Sequence, residues 1–274
     1  MTDNTLIISL TSWTKRIDTA FFTLTKLYDI SLNKDVQIIF NLSQEEFPYG
    51  INSLPYCYKE FLQKSSIIIN VDEGNIRAHK KLMPTLEKYP YNDILVVDDD
   101  KLYEEDMIDN FLQAHNKFPH DVIVGRSHFR IYGENNKFIS KPIVYDLSKI
   151  WETPLSPLFN CKQASGLAGT LYPVGTFTDP LFFDRKLMME SCYYSDEDWQ
   201  WFFNIKENRT LRTNFKVKVY SGNNDGDEYA LYNNYGQSYY EQYYYNFQKI
   251  WSDFYDRLNE LNDQFIRYYP ELSV

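Results

Sequence analysis

The first half of the chain alternates short apolar segments with amphipathic ones, and this alternation constrains the fold more than any other feature. Five segments rich in apolar and β-branched residues are typical of buried strands: residues 6–10, 36–42, 66–71, 94–97 and 122–124. Apolar residues at helical spacing predict helices between them, over residues 17–28, 56–63, 76–89 and 103–118. Strands that alternate with helices of this length indicate βαβ units. The predicted fold class is therefore α/β, with a mostly parallel central sheet flanked by helices.

The second half of the chain has a less regular pattern. Segments 128–132 and 137–145 flank a Gly-Glu-Asn-Asn turn, which predicts a hairpin. Residues 164–178 contain three glycines and a proline, and we expect them to form a loop that shapes a pocket. Two further helices are predicted, over residues 182–191 and 197–206.

The C-terminal segment is rich in aromatic residues at three- and four-residue steps between Tyr240 and Tyr268. This pattern predicts one long amphipathic helix without a break. Its apolar stripe either packs onto the domain or contacts a membrane surface or a second subunit, as in a homodimer. A helix that lies on a membrane normally carries Lys and Arg on its polar face, whereas the polar face here is acidic. Packing onto the domain is therefore favoured.

The composition limits the partners and the compartment. A chain of 274 residues can bury a sizeable core, and a formal net charge of −10 argues against a nucleic-acid binder. Cys57, Cys161 and Cys192 form no short-spaced pair and are predicted to be reduced, mostly buried thiols. There is no basic leader and no apolar stretch of about 20 residues. We therefore expect a cytoplasmic protein, at most peripheral at the inner face of the cell membrane.

Three consecutive carboxylates, Asp98, Asp99 and Asp100, follow the apolar segment 94–97. Ligands of open α/β sheets bind at the carboxyl ends of strands, and Asp98 and Asp100 are two residues apart, so on a strand they point to the same side. Neighbouring carboxylates repel one another and need a counter-charge. Mg²⁺ and Mn²⁺ prefer oxygen ligands and bind through one or two carboxylates together with substrate phosphates. The triplet therefore predicts a divalent-metal site, with Asp98 and Asp100 as ligands, that binds a phosphate compound.

Two other interpretations of the triplet stay open. One is a solvated acidic turn that binds nothing. The other is a phosphatase of the haloacid-dehalogenase type, in which a strand is followed by Asp-x-Asp and the first aspartate is the nucleophile. Those enzymes continue with Gly or Thr and carry the motif near the N-terminus, whereas Lys101 follows the triplet here. Binding of a metal and a phosphate is therefore favoured.

Five segments, in this order, resemble the nucleotide-sugar-dependent glycosyltransferases of the GT-A type, particularly the bacterial enzymes that build capsule or lipopolysaccharide chains. They are residues 9–17, Lys80-Lys81, the triplet at 98–100 (the DXD motif of the family), residues 166–173 and residues 196–199. The resemblance extends to about residue 240 and implies a GT-A-like (Rossmann-like) sheet with a C-terminal helical extension. The chain departs from the family at Ala168, where a second glycine is more usual.

The resemblance also implies how a donor would be bound. Asp98 and Asp100 would hold Mn²⁺ or Mg²⁺, which bridges the two donor phosphates. One of Lys80 and Lys81 would reach the diphosphate while the other lies at the surface, and the glycine segment would form a wall near the sugar or else a tight turn. The candidate donor-binding residues are Thr11, Ser12, Trp13, Arg16, Lys80, Lys81, Asp98, Asp99, Gly166 and Gly169.

Asp196, Glu197 and Asp198 stand where the family has an acid pair at a helix start. In the family, one of these carboxylates takes the proton from the acceptor hydroxyl. Alignment on Trp199 favours Asp196-Glu197, and the commoner Glu-Asp order favours Glu197-Asp198. Glu197 is therefore the first candidate for the base and Asp198 the second. The other interpretation is that these acids only offset the helix dipole.

Some enzymes of this type add a histidine to the metal, but no histidine follows His128 in this chain. Water could take that position. So could a side chain of the Gly/Asn/Asp-rich loop, namely Asn223, Asn224, Asp225 or Asp227.

These features together predict an enzyme that moves a hexose from a nucleotide diphosphate sugar, UDP-linked, to a hydroxyl of a growing glycan or lipid-linked glycan, with inversion. We expect a GT-A-like domain over residues 1–238, with a nucleotide-binding half (1–126) and an acceptor half (127–238), and a helical tail over residues 239–274. The alternatives are the phosphatase and a non-catalytic glycan-binding protein on the same fold.

Overall fold

A mixed sheet of seven strands lies at the centre of the protein. The computed structural model describes residues 5–132, 138–142, 162–164, 168–212, 219–221 and 240–268. The strands in these ranges are β1 (Leu6–Thr11), β2 (Val36–Ser43), β3 (Ile68–Asp72), β4 (Ile94–Val96), β5 (Lys101–Tyr103), β6 (Val122–Val124), β7 (Ser127–Tyr132), β8 (Phe138–Pro142), β9 (Lys162–Ala164), β10 (Thr170–Tyr172), β11 (Leu211–Arg212) and β12 (Val219–Ser221). The α-helices are α1 (Ile17–Ser31), α2 (Tyr56–Leu62), α3 (Met83–Lys88), α4 (Met107–Lys117), α5 (Arg185–Ser191), α6 (Asp196–Lys206), α7 (Tyr240–Ile250) and α8 (Phe254–Tyr268).

The central sheet has the strand order β11-β6-β10-β4-β1-β2-β3. β1 is parallel to β2 and β4, β2 is parallel to β3, and β6 is parallel to β11, whereas β10 runs antiparallel to both β4 and β6. β1 is buried along its whole length, as expected for a parallel strand covered on both faces. The predicted α/β class with a mostly parallel sheet is confirmed.

Alternate residues of the central strands contribute to two hydrophobic cores. On β1, Leu6, Ile8 and Leu10 pack into the core that contains the apolar faces of α1 and α4. Ile7, between them, packs into the core that contains α6 and the two C-terminal helices. Because successive strand residues point to opposite faces, the sheet is the middle of three layers. The loops that follow β1 and β4 then meet at the carboxyl edge of the sheet.

Two small sheets adjoin the central one. β5 pairs with β12 in antiparallel register. β7 pairs with β8 as the predicted hairpin and also with β9, both antiparallel. The turn of the hairpin, residues 133–137, lies outside the described residues.

The prediction of a loop over residues 164–178 is wrong in its centre. Thr170, Leu171 and Tyr172 form β10, which is fully buried between β4 and β6. A strand of three residues between glycines and a proline is too short to show strand periodicity. Its position follows from pairing with strands that are distant in the sequence.

The predicted helices over 76–89 and 103–118 begin later than expected. Residues 77–81 form a 3-10 helix, and α3 starts only at Met83, with Pro84 in its first turn. Proline lacks an N–H and is tolerated only at a helix start, so Pro84 determines where α3 begins. Residues 101–103 are strand β5, and α4 begins at Met107.

The predicted C-terminal helix is broken into α7 and α8. The Gln248 side chain accepts a hydrogen bond from the Tyr255 backbone N–H (3.0 Å) and donates one to the Ser252 carbonyl, so it satisfies backbone groups exposed by the break. Packing onto the domain is confirmed, because Phe247 stacks on Phe202 of α6 with ring centroids 4.4 Å apart. Phe254 lies 5.4 Å from the same ring.

Two further observations concern the thiols and the membrane. Cys192 is buried, but Cys57 is exposed, so the prediction of mostly buried thiols is wrong for Cys57. Cys161 lies outside the described residues. Within the described ranges, none of the helices combines the length and the apolar character that crossing a bilayer requires.

Candidate functional site

The aspartate triplet lies in the turn after β4, at the carboxyl edge of the sheet. Two neighbouring elements hold its backbone. The Thr23 hydroxyl of α1 donates to the carbonyls of Asp99 (2.9 Å) and Lys101 (3.0 Å). The Asp98 N–H donates to the hydroxyl of Tyr103, which is buried (2.9 Å). The triplet is therefore fixed to both α1 and β5.

Each carboxylate of the triplet forms an ion pair with a basic side chain. Arg16 Nη2 lies 2.8 Å from Asp99 and 2.7 Å from Asp100. Lys101 Nζ lies 3.0 Å from Asp100. Lys81 Nζ lies 2.7 Å from Asp98. Three cations therefore face three carboxylates.

These ion pairs supply the counter-charge that the sequence analysis assigned to a metal ion. Within the described part of the chain, no three His, Cys, Asp or Glu side chains are grouped to hold a metal by themselves. A divalent ion at Asp98 and Asp100 would therefore need further ligands, such as water or the oxygens of a bound compound.

Burial and neighbouring charges shift the pKa of two carboxyls of the triplet. Burial raises the pKa of Asp99 to about 6, although the nearby Arg16 guanidinium opposes the shift. Burial acts in the same direction on Asp98, but Lys81 and Arg16 outweigh it and lower the pKa of that carboxyl. Asp98 is therefore an anion at neutral pH, held by its cations.

The loop after β1 lies at the same edge, as predicted. Thr11 and Ser12 are buried, and the Thr11 hydroxyl donates to the carbonyl of Asn41 at the end of β2 (2.7 Å). Trp13 precedes the 3-10 turn that brings Arg16 to the triplet. The Lys15 ammonium lies 5.4 Å from the centre of the Trp13 ring. Of this loop, Arg16 makes the ion pairs with the triplet.

Lys80 is buried and the Lys81 side chain is only 13% exposed, so the prediction that one of them lies at the surface is wrong. Lys80 points away from the triplet and pairs with Glu46 (3.3 Å) and Asn75 (2.8 Å). Lys81 contacts Asp98 and also lies 3.4 Å from Asp196. Although burial lowers the pKa of Lys81, Asp196 and Asp98 raise it well above its usual value.

The acidic segment is the start of α6, as predicted, and its three carboxylates have different surroundings. Ser195 caps the helix by accepting a hydrogen bond from the Asp198 N–H (3.2 Å). Asp198 is fully buried, and Asp196, which is 5% exposed, contacts Lys81. Glu197 alone of the three is partly exposed.

A chain of hydrogen bonds that the sequence analysis missed supports Asp196. The hydroxyl of Tyr172 in β10 donates to Gln200 (2.6 Å), and Gln200 donates to Asp196 (3.4 Å). Both side chains are buried polar groups, which are rarely left without partners. Tyr172 was missed because β10 was not predicted as a strand.

A second buried polar cluster, also missed, holds the 3-10 helix and α3 against the sheet. Ser9 of β1 donates to the carbonyl of Lys81 and lies 2.7 Å from the Thr85 hydroxyl. Asn41 of β2 donates to both Ser9 and Thr85 (2.9 Å each). The signal was present in the sequence, because Ser9 and Asn41 are polar residues inside strongly apolar strands. The cluster fixes the backbone from which Lys81 extends.

His79 connects the same helix to the segment before α6. Its Nε2 hydrogen-bonds the carbonyl of Cys192 (2.8 Å). Burial lowers the pKa of His79, although Asp196 opposes the shift. His79 and Lys81, two residues apart, therefore both join this helix to the region of the acid pair.

The glycine segment is described only in part. Gly166 lies outside the described residues, as do Asn223, Asn224, Asp225 and Asp227. Gly169 has a positive φ of 85°, and the space where a Cβ would lie is filled by the Phe111 ring, at 3.1 Å. The close approach that glycine permits here is an approach to α4.

Comparison with solved structures finds matches at low sequence identity. The crystal structure of S. aureus TarS 1–349 in complex with UDP-GlcNAc matches 96% of this chain and 73% of that chain with a TM-score of 0.54 and 12% identity. The complex of TarS 1–349 with UDP matches 79% of this chain and 60% of that one, with a TM-score of 0.45 and 11% identity. A putative glucose-1-phosphate thymidylyltransferase from Bacillus anthracis, in complex with a sucrose, matches 80% and 89%, with a TM-score of 0.44 and 13% identity.

In two of the TarS 1–349 matches, the chain spans 60% of the length of the matched structure. No family model matches the sequence. No curated protein matches it either. The likeness to the UDP-GlcNAc complex shows that the chain has a GT-A-like α/β fold.

Proposed function

We propose that the protein is a glycosyltransferase that moves a hexose from a UDP-sugar, with the help of Mn²⁺ or Mg²⁺, to a hydroxyl of a growing glycan or lipid-linked glycan. The process it serves would be synthesis of a bacterial surface polysaccharide of the capsule or lipopolysaccharide kind. A structure of the same fold, at 12% identity, holds UDP-GlcNAc, which supports the choice of donor. Membrane association and a homodimer through the tail stay predictions.

One observation carries the proposal: Lys81 joins the triplet to the acidic start of α6. Its ammonium lies 2.7 Å from Asp98 and 3.4 Å from Asp196. A transferase needs its diphosphate-binding groups and its base on either side of one anomeric carbon. Two acidic segments almost a hundred residues apart in sequence meet here across a single side chain.

The carboxylate oxygens of the triplet are ligands that suit a hard divalent ion. Asp98 and Asp100 offer carboxylate oxygens and are 22% and 20% exposed, so both can be reached from solvent. Mg²⁺ and Mn²⁺ commonly bind through one or two carboxylates together with phosphate oxygens. When bound there with a donor, the ion would stabilise the negative charge that develops on the leaving diphosphate.

Glu197 is the residue we propose as the base. Asp196 is committed to Lys81 and Gln200, and Asp198 is fully buried. Glu197 would accept the proton of the acceptor hydroxyl while that oxygen bonds to the anomeric carbon. The bond from this carbon to the diphosphate oxygen breaks, and its electron pair leaves with the diphosphate. Arg16 and Lys81, which pair with the triplet, would lie close to that charge. A single displacement of this kind inverts the anomeric carbon.

The test is turnover of a panel of nucleotide sugars with Mn²⁺, followed as release of nucleoside diphosphate. We expect release from a UDP-sugar, reduced about 10²- to 10⁴-fold in Glu197→Gln, the usual contribution of a positioned base. Calorimetry should show that this variant still binds UDP in the presence of Mn²⁺.

The matched control is Glu190→Gln, which removes an exposed carboxylate of α5 that pairs with Lys186. This variant should turn over as the wild type does. Full activity in Glu197→Gln would contradict the assignment of the base. Release of phosphate from small phosphoesters without any nucleotide would support the phosphatase instead, and binding of UDP without turnover of any donor would support a non-catalytic protein.

A further inference from the structure

Both predicted metal ligands are occupied by basic side chains of the protein. Asp98 pairs with Lys81 at 2.7 Å. Asp100 pairs with Arg16 at 2.7 Å and with Lys101 at 3.0 Å. A divalent ion that binds either carboxylate would lie beside these cations and be repelled by them. The ion pairs therefore oppose metal binding in the free protein.

The charges determine what can bind at this site. The formal charges of the three carboxylates and their three cations sum to zero, and Asp196 beside Lys81 adds one negative charge. The net attraction for a metal ion alone is therefore small, and a cation that the metal displaces loses its partner. A partly buried cation without a partner is costly. A nucleoside diphosphate that arrives with the metal changes this balance, because its phosphate oxygens offer the displaced cation a new partner.

Arg16 is the cation best placed to make that exchange. A single nitrogen, Nη2, bridges Asp99 and Asp100 at 2.8 and 2.7 Å, and the side chain is 17% exposed. It lies at the end of a 3-10 turn of three residues in the loop after β1. A guanidinium also fits phosphate oxygens with two parallel hydrogen bonds. Lys81, which is also held by two carboxylates, has a compact ammonium in place of this planar fork.

We propose that Arg16 is an exchangeable counter-ion, which pairs with Asp99 and Asp100 in the free protein and moves to the donor diphosphate when a metal ion binds the triplet. This inference rests on the proposed function. Its consequence is that the metal and the nucleoside diphosphate bind as a coupled pair. By thermodynamic linkage, each strengthens the binding of the other by the same factor.

The experiment measures Mn²⁺ binding to the wild-type protein by calorimetry and by the electron paramagnetic resonance of free Mn²⁺, with and without UDP. We expect UDP to increase the Mn²⁺ affinity of the protein by about 10- to 100-fold, within the usual range of such couplings. In Arg16→Gln, Asp100 loses one of its two cations. Mn²⁺ alone should then bind more tightly than to wild type, whereas UDP with Mn²⁺ should bind more weakly, because the diphosphate has lost the guanidinium.

The matched control is Arg212→Gln. Arg212 pairs with Asp121 just before β6 and is 15% exposed, close to the 17% of Arg16, but it lies at the opposite edge of the sheet. This variant removes the same charge and should leave both affinities unchanged. If Arg16→Gln does not fold, Lys101→Gln supplies the test, since it frees Asp100 from its other cation and should also tighten binding of Mn²⁺ alone.

Two results would overturn the inference. One is equal Mn²⁺ affinity of the wild type with and without UDP. The other is Mn²⁺ binding, without nucleotide, that is unchanged or weaker in Arg16→Gln. The proposed function fails separately, if UDP does not bind even with Mn²⁺ present. Binding of UDP and Mn²⁺ that is detectable but independent would leave the function standing and remove only the exchange by Arg16.

Discussion

Substitution of Gly169 by alanine tests whether this glycine serves packing or ligand binding. Its φ of 85° lies in the left-handed region, and a Cβ built there would lie 3.1 and 3.2 Å from two carbons of the Phe111 ring. Phe111, a residue of α4, is fully buried in the core, so its ring has little room to move. Gly169→Ala should therefore destabilise the fold through both the backbone and the contact with Phe111.

The expected magnitude is the sum of two contributions. The left-handed conformation costs an L-residue about 1–2 kcal/mol, and overpacking a filled core costs about 1–3 kcal/mol. The free energy of unfolding should fall by about 2–5 kcal/mol in Gly169→Ala. Gly175 is the matched control, because its φ is 75° but nothing lies within 4 Å of the built Cβ. Gly175→Ala should lose only the backbone contribution, about 1–2 kcal/mol.

The assay is urea unfolding followed by tryptophan fluorescence, with the unfolding free energy extrapolated to water. In a Phe111→Leu background, Gly169→Ala should cost less than it does in the wild type, because the two sites are in contact. Equal destabilisation by the two glycine variants would refute the packing argument. A stable Gly169→Ala protein that no longer binds UDP would show instead that this glycine approaches the donor.

Three other perturbations follow from the contacts of single residues. Lys81→Met leaves the partly exposed Asp98 and the buried Asp196 without their shared cation. It should lower the free energy of unfolding in urea titrations by up to about 3–5 kcal/mol, and an unchanged unfolding midpoint would contradict the ion pairs. His79 has a lowered pKa in the folded state, so the unfolded chain binds its proton first and stability is lost as the pH falls below 6.5. This one group changes the free energy of unfolding by at most about 1.4 kcal/mol per pH unit. His79→Gln should therefore reduce the pH dependence of the urea midpoint. An unchanged dependence would contradict a neutral buried His79. Phe247→Ala removes a fully buried ring and should lower the free energy of unfolding by about 3–5 kcal/mol. The urea unfolding curve should show one cooperative transition if the tail and the sheet unfold together, and two transitions if they do not.

The fold could be predicted from the sequence where the pattern is local and long. The strand at 6–10 and the helix that begins at Ile17 show their apolar periodicity within a few residues, and both form as expected. The break between α7 and α8 is different, because the aromatic spacing continues across it. Ser252 and Asp253 were the local signal, since such residues compete for backbone hydrogen bonds and favour helix ends.

The site could be predicted as a location but not as a set of contacts. The position of the triplet followed from an apolar strand that ends in carboxylates. Two of its three counter-charges did not, because Arg16 and Lys81 come from other elements, and only the fold brings them to the triplet. The same applies to Tyr172, which reaches the acid pair from a strand that depends on long-range pairing. The positions of such residues can be predicted only once the pairing of the strands is known.

A crystal structure of the protein with UDP and Mn²⁺, recorded with anomalous scattering at the manganese edge, tests the central claim most directly. The predicted result is a manganese peak between the diphosphate and the carboxylates of Asp98 and Asp100, with the Arg16 guanidinium moved onto phosphate oxygens. A diphosphate bound elsewhere, with these carboxylates still paired to Arg16 and Lys81, would contradict the account.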